Sequence, residues 1–276
     1  MAWAIPALAA GTAPAPAPPA SDPTAEHDRC VADTDTDPQG ALARAKQWSN
    51  QGGGFDADHC AAMALFAMKK YKDAAAAFEA LAHGMAAAAP QARARVYDQA
   101  GQTWLVAEQP AKAKADFDAA INFSPSDPDL FVDRAEALAG MQRYWDAIDD
   151  LNHASELAPT KPEVFAYRAA AYRALNSLDL ARDDIETNLR LAPNNPIGLL
   201  ERGNIRRIAG DVAGAKADWQ AVVRFAPGSI SAEAAAQNLT RLGATRDPAK
   251  LDKPKPAAKP DPAKSDAAKP KPKNPS

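Results

Sequence analysis

Residues 128–161, PDLFVDRAEALAGMQRYWDAIDDLNHASELAPTK, and residues 162–195, PEVFAYRAAAYRALNSLDLARDDIETNLRLAPNN, decide the fold, because the second repeats the pattern of the first. The step is 34 residues, and it extends outward in both directions. Pro125, Pro159, Pro193 and Pro227 keep it, as do Ala113, Ala147, Ala181 and Ala215. So do Gly101, Ala135, Ala169 and Gly203, and the large residues Phe117, Leu151, Ile185 and Trp219. Self-similarity at one fixed period predicts stacked units, each burying its apolar face only against its neighbours.

Composition favours helices for those units. The chain of 276 residues is 46% hydrophobic but only 7% aromatic, and alanine dominates the apolar share. Alanine is the best helix former and allows close helix approach. A net charge of −3 gives no argument for a nucleic-acid partner. No apolar run reaches the length of a transmembrane helix.

Each unit reads as two helices. Pro128, Pro162 and Pro196 open the first, where a missing N–H costs nothing, and Asp127 and Asn195 can cap it. Polar turns such as Glu108-Gln109, Asn176-Ser177 and Gly210-Asp211 follow, and the second helix stops at the periodic proline. The units fall at 94–127, 128–161, 162–195 and 196–229. A divergent unit at 55–93 runs about five residues longer, with an extended second helix, and residues 230–243 form a capping helix.

The flanks differ in character. Residues 1–20 resemble the back half of a secretory signal, with the small-x-small pattern Ala7-Leu8-Ala9 but no positive leading segment. Residues 21–38, rich in Pro, Thr and Asp, read as a disordered linker. A helix then occupies most of 39–54 and ends at Gly52-Gly53-Gly54. From Ala244 on, eight lysines and eight prolines predict a disordered, solvated tail. Anionic envelope polymers or lipid headgroups are the surfaces its charge would meet.

The pattern resembles the tetratricopeptide repeat. Phe131, Ala135, Leu138, Ala147, Leu151, Ala154 and Pro159 fill that family's places in one unit. Phe165, Ala169, Tyr172, Ala181, Ile185, Asn188 and Pro193 fill them in the next. The resemblance covers about residues 55–229 and implies an all-α, right-handed superhelical solenoid of helix–turn–helix repeats, with disordered tails at both ends. Arg206 departs from it by replacing an expected aromatic. The resemblance also implies that first helices line a concave groove for a peptide or partner helix. The family's grip on a chaperone's terminal carboxylate is not expected, because His59 and Met63, or Asp98 and Gln102, stand where Lys and Asn would be needed.

Candidate groove residues are Arg95, Asp98, Gln102, Asp129, Val132, Glu136, Glu163, Arg173, Asn204 and Arg207. Acidic residues gather toward the N-terminal half and arginines toward the C-terminal half. Arg134, Arg168 and Arg202 recur at the 34-residue step, as do Asp150, Asp184 and Asp218. Each arginine precedes its turn by about as much as the aspartate follows it, which predicts structural ion pairs 134–150, 168–184 and 202–218.

Cys30 and Cys60 are open to three readings: a disulfide, two free thiols, or a metal site with His27, Asp56, Asp58 and His59. The last lacks the paired spacing zinc sites favour. Catalysis finds no footing, since His27, His59, His83 and His153 are scattered over different units and no nucleophile–base set stands out. The expectation is a non-enzymatic scaffold for a protein or peptide, without cofactor, metal or nucleic acid, exported to the periplasm. The alternative is a cytoplasmic adaptor or accessory subunit.

Overall fold

The computed structural model describes residues 23–86 and 88–244, and among these it contains thirteen α-helices and no strand. The expected export segment and the lysine–proline tail lie outside the described residues. The chain divides into two compact units, with the boundary between Lys69 and Lys70. That boundary falls inside the segment 55–93 expected to form one repeat.

The first unit holds α1 (Pro23–Asp33), α2 (Pro38–Asn50) and α3 (Gly54–Ala67). The helix α1 corrects the expectation of disorder through residue 38. Averaged composition hid a short amphipathic segment: Cys30 and Thr34 are buried, and Cys30 packs with Ala45 and Cys60. Arg44 on α2 adds a 2.6 Å hydrogen bond to Asp33. Asp37 caps α2 by accepting from the Gly40 N–H at 2.9 Å, and Pro38 occupies its first turn. The cysteine Cα atoms lie 6.0 Å apart, within disulfide reach, with the sulfurs in bonding contact.

The second unit stacks α4 (Tyr71–Gly84), α5 (Pro90–Val106), α6 (Pro110–Phe123), α7 (Pro128–Gly140) and α8 (Tyr144–Leu157). It continues through α9 (Pro162–Ala174), α10 (Leu178–Leu191), α11 (Pro196–Ile208), α12 (Val212–Phe225) and α13 (Ile230–Ala244). The expected extension of α4 is absent. It ends at Gly84 with the same 14 residues as α6, α8, α10 and α12. Pro90 instead starts α5 four residues before the expected boundary at 94, giving a helix of 17 residues.

Hairpins α5–α6, α7–α8, α9–α10 and α11–α12 share one turn. Glu108, Gln142 and Asn176 adopt φ of 57°, 60° and 60°, and Gly210 has φ of 89°. The next N–H in each then bonds back five residues: Gln109 to Trp104, Arg143 to Leu138, Ser177 to Tyr172 and Asp211 to Arg206, at 2.8–2.9 Å. This left-handed cap satisfies the last carbonyls of the first helix and reverses the chain within two residues. The second helices end on Ser124, Ala158, Ala192 and Ala226, whose φ of −133° to −141° lies outside the helical region that a following proline disfavours.

Where the two helices of a hairpin cross, side-chain size is matched across a 16-residue spacing. Aromatic Phe117 and Trp219 face Gly101 and Gly203, whereas Leu151 and Ile185 belong to hairpins carrying Ala135 and Ala169. A Cβ on Gly101 would lie 2.5 Å from the Phe117 ring, and one on Gly203 would lie 2.6 Å from the Trp219 indole. All four large residues are buried. Close packing at this crossing fixes the register of each hairpin.

Candidate functional site: the row of first helices

Within the second unit α7 touches α5 and α9, α9 touches α11, and α11 touches α13, while successive second helices make no comparable contact. The stack therefore curves toward its first helices, and their shared face is the candidate site.

Its acidic end forms where α5 and α7 meet. Gln102 donates its amide to Asp98 at 3.0 Å and to Asp133 at 3.2 Å, drawing the carboxyl groups of two helices together. Burial, and then the neighbouring Asp133, pushes the Asp98 carboxyl up to about 8. Asp133 is raised as well, chiefly by burial. Both carboxyls are thereby pushed toward the neutral form. Burial, reinforced by Asp133, raises Glu136. Tyr167 on α9 is pushed up to about 12 by burial and then by Glu136, Asp133 and Glu163. Lys161 pairs with Asp129, and Asn195 donates to Glu163 at 3.2 Å. Arg95 and Gln102 are exposed on α5.

Val132 does not belong to this face. It is buried with Phe131, Leu138 and Val164, and the inner column runs one residue later, through Asp133, Tyr167 and Glu201. Between the two ends lies a cavity of about 290 Å³ floored by Ala139, Ala170 and Ala174, with Glu136 and Arg173 among its walls.

At the far end Arg173 is not a free cation. It clasps Glu201 through Nε at 2.6 Å and a second guanidinium nitrogen at 3.3 Å, and Glu201 also accepts from Asn204 at 3.0 Å. Asn238 on α13 donates to Asn204 at 3.0 Å. A second cavity of about 360 Å³ opens beside this network, lined by Arg207, Arg241 and the edge of Trp219.

The Arg–Asp columns lie between helices rather than on the open face. Arg134 grips both Asp150 oxygens at 2.6 and 2.8 Å and reaches back to Asp118 of the preceding hairpin at 2.8 Å. Arg168 grips Asp184 at 2.7 and 2.9 Å and reaches Asn152 and Ser155. Arg202 holds Asp218 at 2.7 Å, and Arg206, in an aromatic's place, adds a second guanidinium to the same carboxylate at 2.7 Å.

The first repeat domain of Spaghetti, solved with an HSP90 peptide, resembles this chain at 26% identity over 45% of it and 95% of that domain, TM-score 0.41. PilF of Pseudomonas aeruginosa matches at 14% identity over 78% of this chain and 99% of its own, TM-score 0.54. MamA of Desulfovibrio magneticus, from residue 41 onward, matches at 16% identity over 61% and 92%, TM-score 0.53. The fold is that of the tetratricopeptide repeat. At such identities the two bacterial structures bear on the fold alone. No family model and no curated protein sequence matches the chain.

Sequence reading passed over Asp133, Tyr167, Glu201, Asn238 and Arg241 on this tetratricopeptide face. The signal was present: Arg173, Arg207 and Arg241 stand 34 apart, as do Asn204 and Asn238. Treating α13 only as a cap ended the period one helix too early.

Proposed function

We propose that the face built by α5, α7, α9, α11 and α13 is a docking groove for an extended polypeptide segment, and that the protein is a non-enzymatic interaction scaffold. One observation carries this reading: a single row of first helices whose charge changes sign along its length, over a floor of alanines. Asp133 and Glu136 favour basic residues of the bound segment at the α5–α7 end, while Arg207 and Arg241 favour acidic groups at the α11–α13 end. Peptide-array screening followed by titration tests the reading. Glu136→Lys and Arg207→Glu should each weaken a selected peptide about tenfold, the scale of one lost charge-assisted contact. Binding indifferent to both substitutions would refute it.

The same proposal places the protein in an exporting, oxidising compartment. Its support is the burial of Cys30 and Cys60 with Cα atoms 6.0 Å apart. A bridge closing this loop would stabilise the first unit by about 3.5 kcal/mol in the chain-entropy treatment. Intact mass of the native protein with and without reductant checks it: a gain of two hydrogens on reduction supports a bridge, and an unchanged mass contradicts one.

A further inference from the structure

The cavity of about 360 Å³ between the last hairpin and α13 gathers donors without acceptors to match them. Arg173 borders it, but its charge is answered by Glu201. Asn204 spends its amide on Glu201, and Asn238 spends its own on Asn204. Arg207 and Arg241 have no carboxylate and no hydrogen-bond partner among the described residues. Trp219 on α12 is fully buried, and its indole Nε1 has no hydrogen-bond partner among the described residues. Gly203 is what lets the indole edge reach this place, since a Cβ there would crowd Nε1 at 2.6 Å.

Two guanidinium groups, from α11 and α13, thus border a shared space whose lining includes the Trp219 side chain of α12. Two like charges in a walled cavity repel, and an anion that touches both removes that cost. A carboxylate can bridge two guanidinium groups, as Asp218 does for Arg202 and Arg206, but it sets one charge against two. A phosphoryl group offers about two charges and oxygens spread over a tetrahedron, which suits donors arriving from different helices. We infer that this cavity receives a phosphoryl group carried on the polypeptide that occupies the groove. The inference rests on the groove reading above and names one chemical feature of the bound segment.

The test uses the full chain and the indole N–H resonance of Trp219, assigned by its loss in Trp219→Phe. Inorganic phosphate, acetate, a phosphoserine tripeptide and its unphosphorylated counterpart are titrated at constant ionic strength. Phosphate should move the resonance saturably, acetate should not, and the phosphopeptide should bind at least about tenfold tighter than phosphate (about 1.4 kcal/mol). Arg207→Gln and Arg241→Gln should each weaken that binding about tenfold or more, with helical content and melting retained. Affinity should also fall as the pH drops below about 6, where the phosphoryl group becomes a monoanion. No movement of the resonance, an equal response to acetate, or full binding in the Arg207→Gln/Arg241→Gln double variant overturns the inference. Inorganic phosphate bound with the phosphopeptide excluded overturns the polypeptide source. Array peptides that weaken with Glu136→Lys and Arg207→Glu yet bind equally well with and without a phosphoryl group overturn the inference while leaving the groove reading standing.

Discussion

Removing the arginine from each Arg–Asp column in turn should give three different costs, because the columns differ in charge balance. Arg134 serves two carboxylates, Asp150 and Asp118; Arg168 serves one, Asp184; Arg202 shares one, Asp218, with Arg206. In the middle column the side chains of Arg168 and Asp184 are 16% and 10% exposed. Removing one partner of so buried a pair strands a desolvated charge and costs about 3–5 kcal/mol. Arg168→Met should fall in that range. Arg134→Met should fall toward its lower end, because only Asp150 is stranded while Asp118 keeps Lys114 at 2.7 Å. Arg202→Met should cost only about 1.5–3 kcal/mol, the value of charge-assisted hydrogen bonds alone, because Arg206 still answers Asp218. The double variant Arg168→Met/Asp184→Leu should return to within about 1 kcal/mol of the parent, since an apolar pair of similar volume replaces a costly ionic one. Equilibrium urea unfolding followed by circular dichroism reads these differences as midpoint shifts at constant slope. An Arg202→Met variant as unstable as Arg168→Met, or a double variant no better than its singles, refutes the reasoning.

Three further outcomes follow from local geometry. Asp116 keeps the aspartate column but lacks its arginine, since Ala100 stands where the others have one; burial, with Glu79 adding, lifts its carboxyl to about 7 against His83, Trp104 and Lys112. The folded state then holds a proton that the unfolded chain releases, so stability should decline as pH rises from about 4 through about 7 and then level off. Asp116→Asn should flatten that part of a melting-temperature profile, and an unchanged profile contradicts the account. Gly203→Ala should destabilise despite alanine's helix advantage of about 1 kcal/mol, because overpacking against Trp219 and the Ala215 carbonyl costs about 1–3 kcal/mol. Adding Trp219→Leu to Gly203→Ala should recover part of that loss in denaturant titration. Gln142→Gly should raise stability by about 1 kcal/mol, by relieving a left-handed backbone at φ of 60°; a lower midpoint would show that the turn is not the strained element it looks.

The hairpin array was legible because its determinants are local and periodic: a proline at each second-helix end, a small residue at each crossing, and a large one 16 residues on. Glu108, Gln142 and Asn176 were harder to read as left-handed residues, because only Gly210 in that column advertises its conformation. The helix α1 was illegible for another reason. Its order comes from contacts with α2 and α3 and from Cys60, none of which a local composition reveals. On the candidate face, a helix surface resolved by step alone leaves a one-residue ambiguity. Val132 and Asp133 are neighbours, and only packing shows that the first turns into the core while the second meets Asp98.

The central claim, that a polypeptide lies along the first helices, is tested most directly by photo-crosslinking a purified array-selected peptide to single positions on opposite faces. A photoreactive residue in place of Gln102, Glu136 or Ala170, on the inner row, should capture the peptide. One in place of Asp149 or Asp183, exposed on α8 and α10, should not. Capture from the outer positions with the inner ones silent would contradict the account.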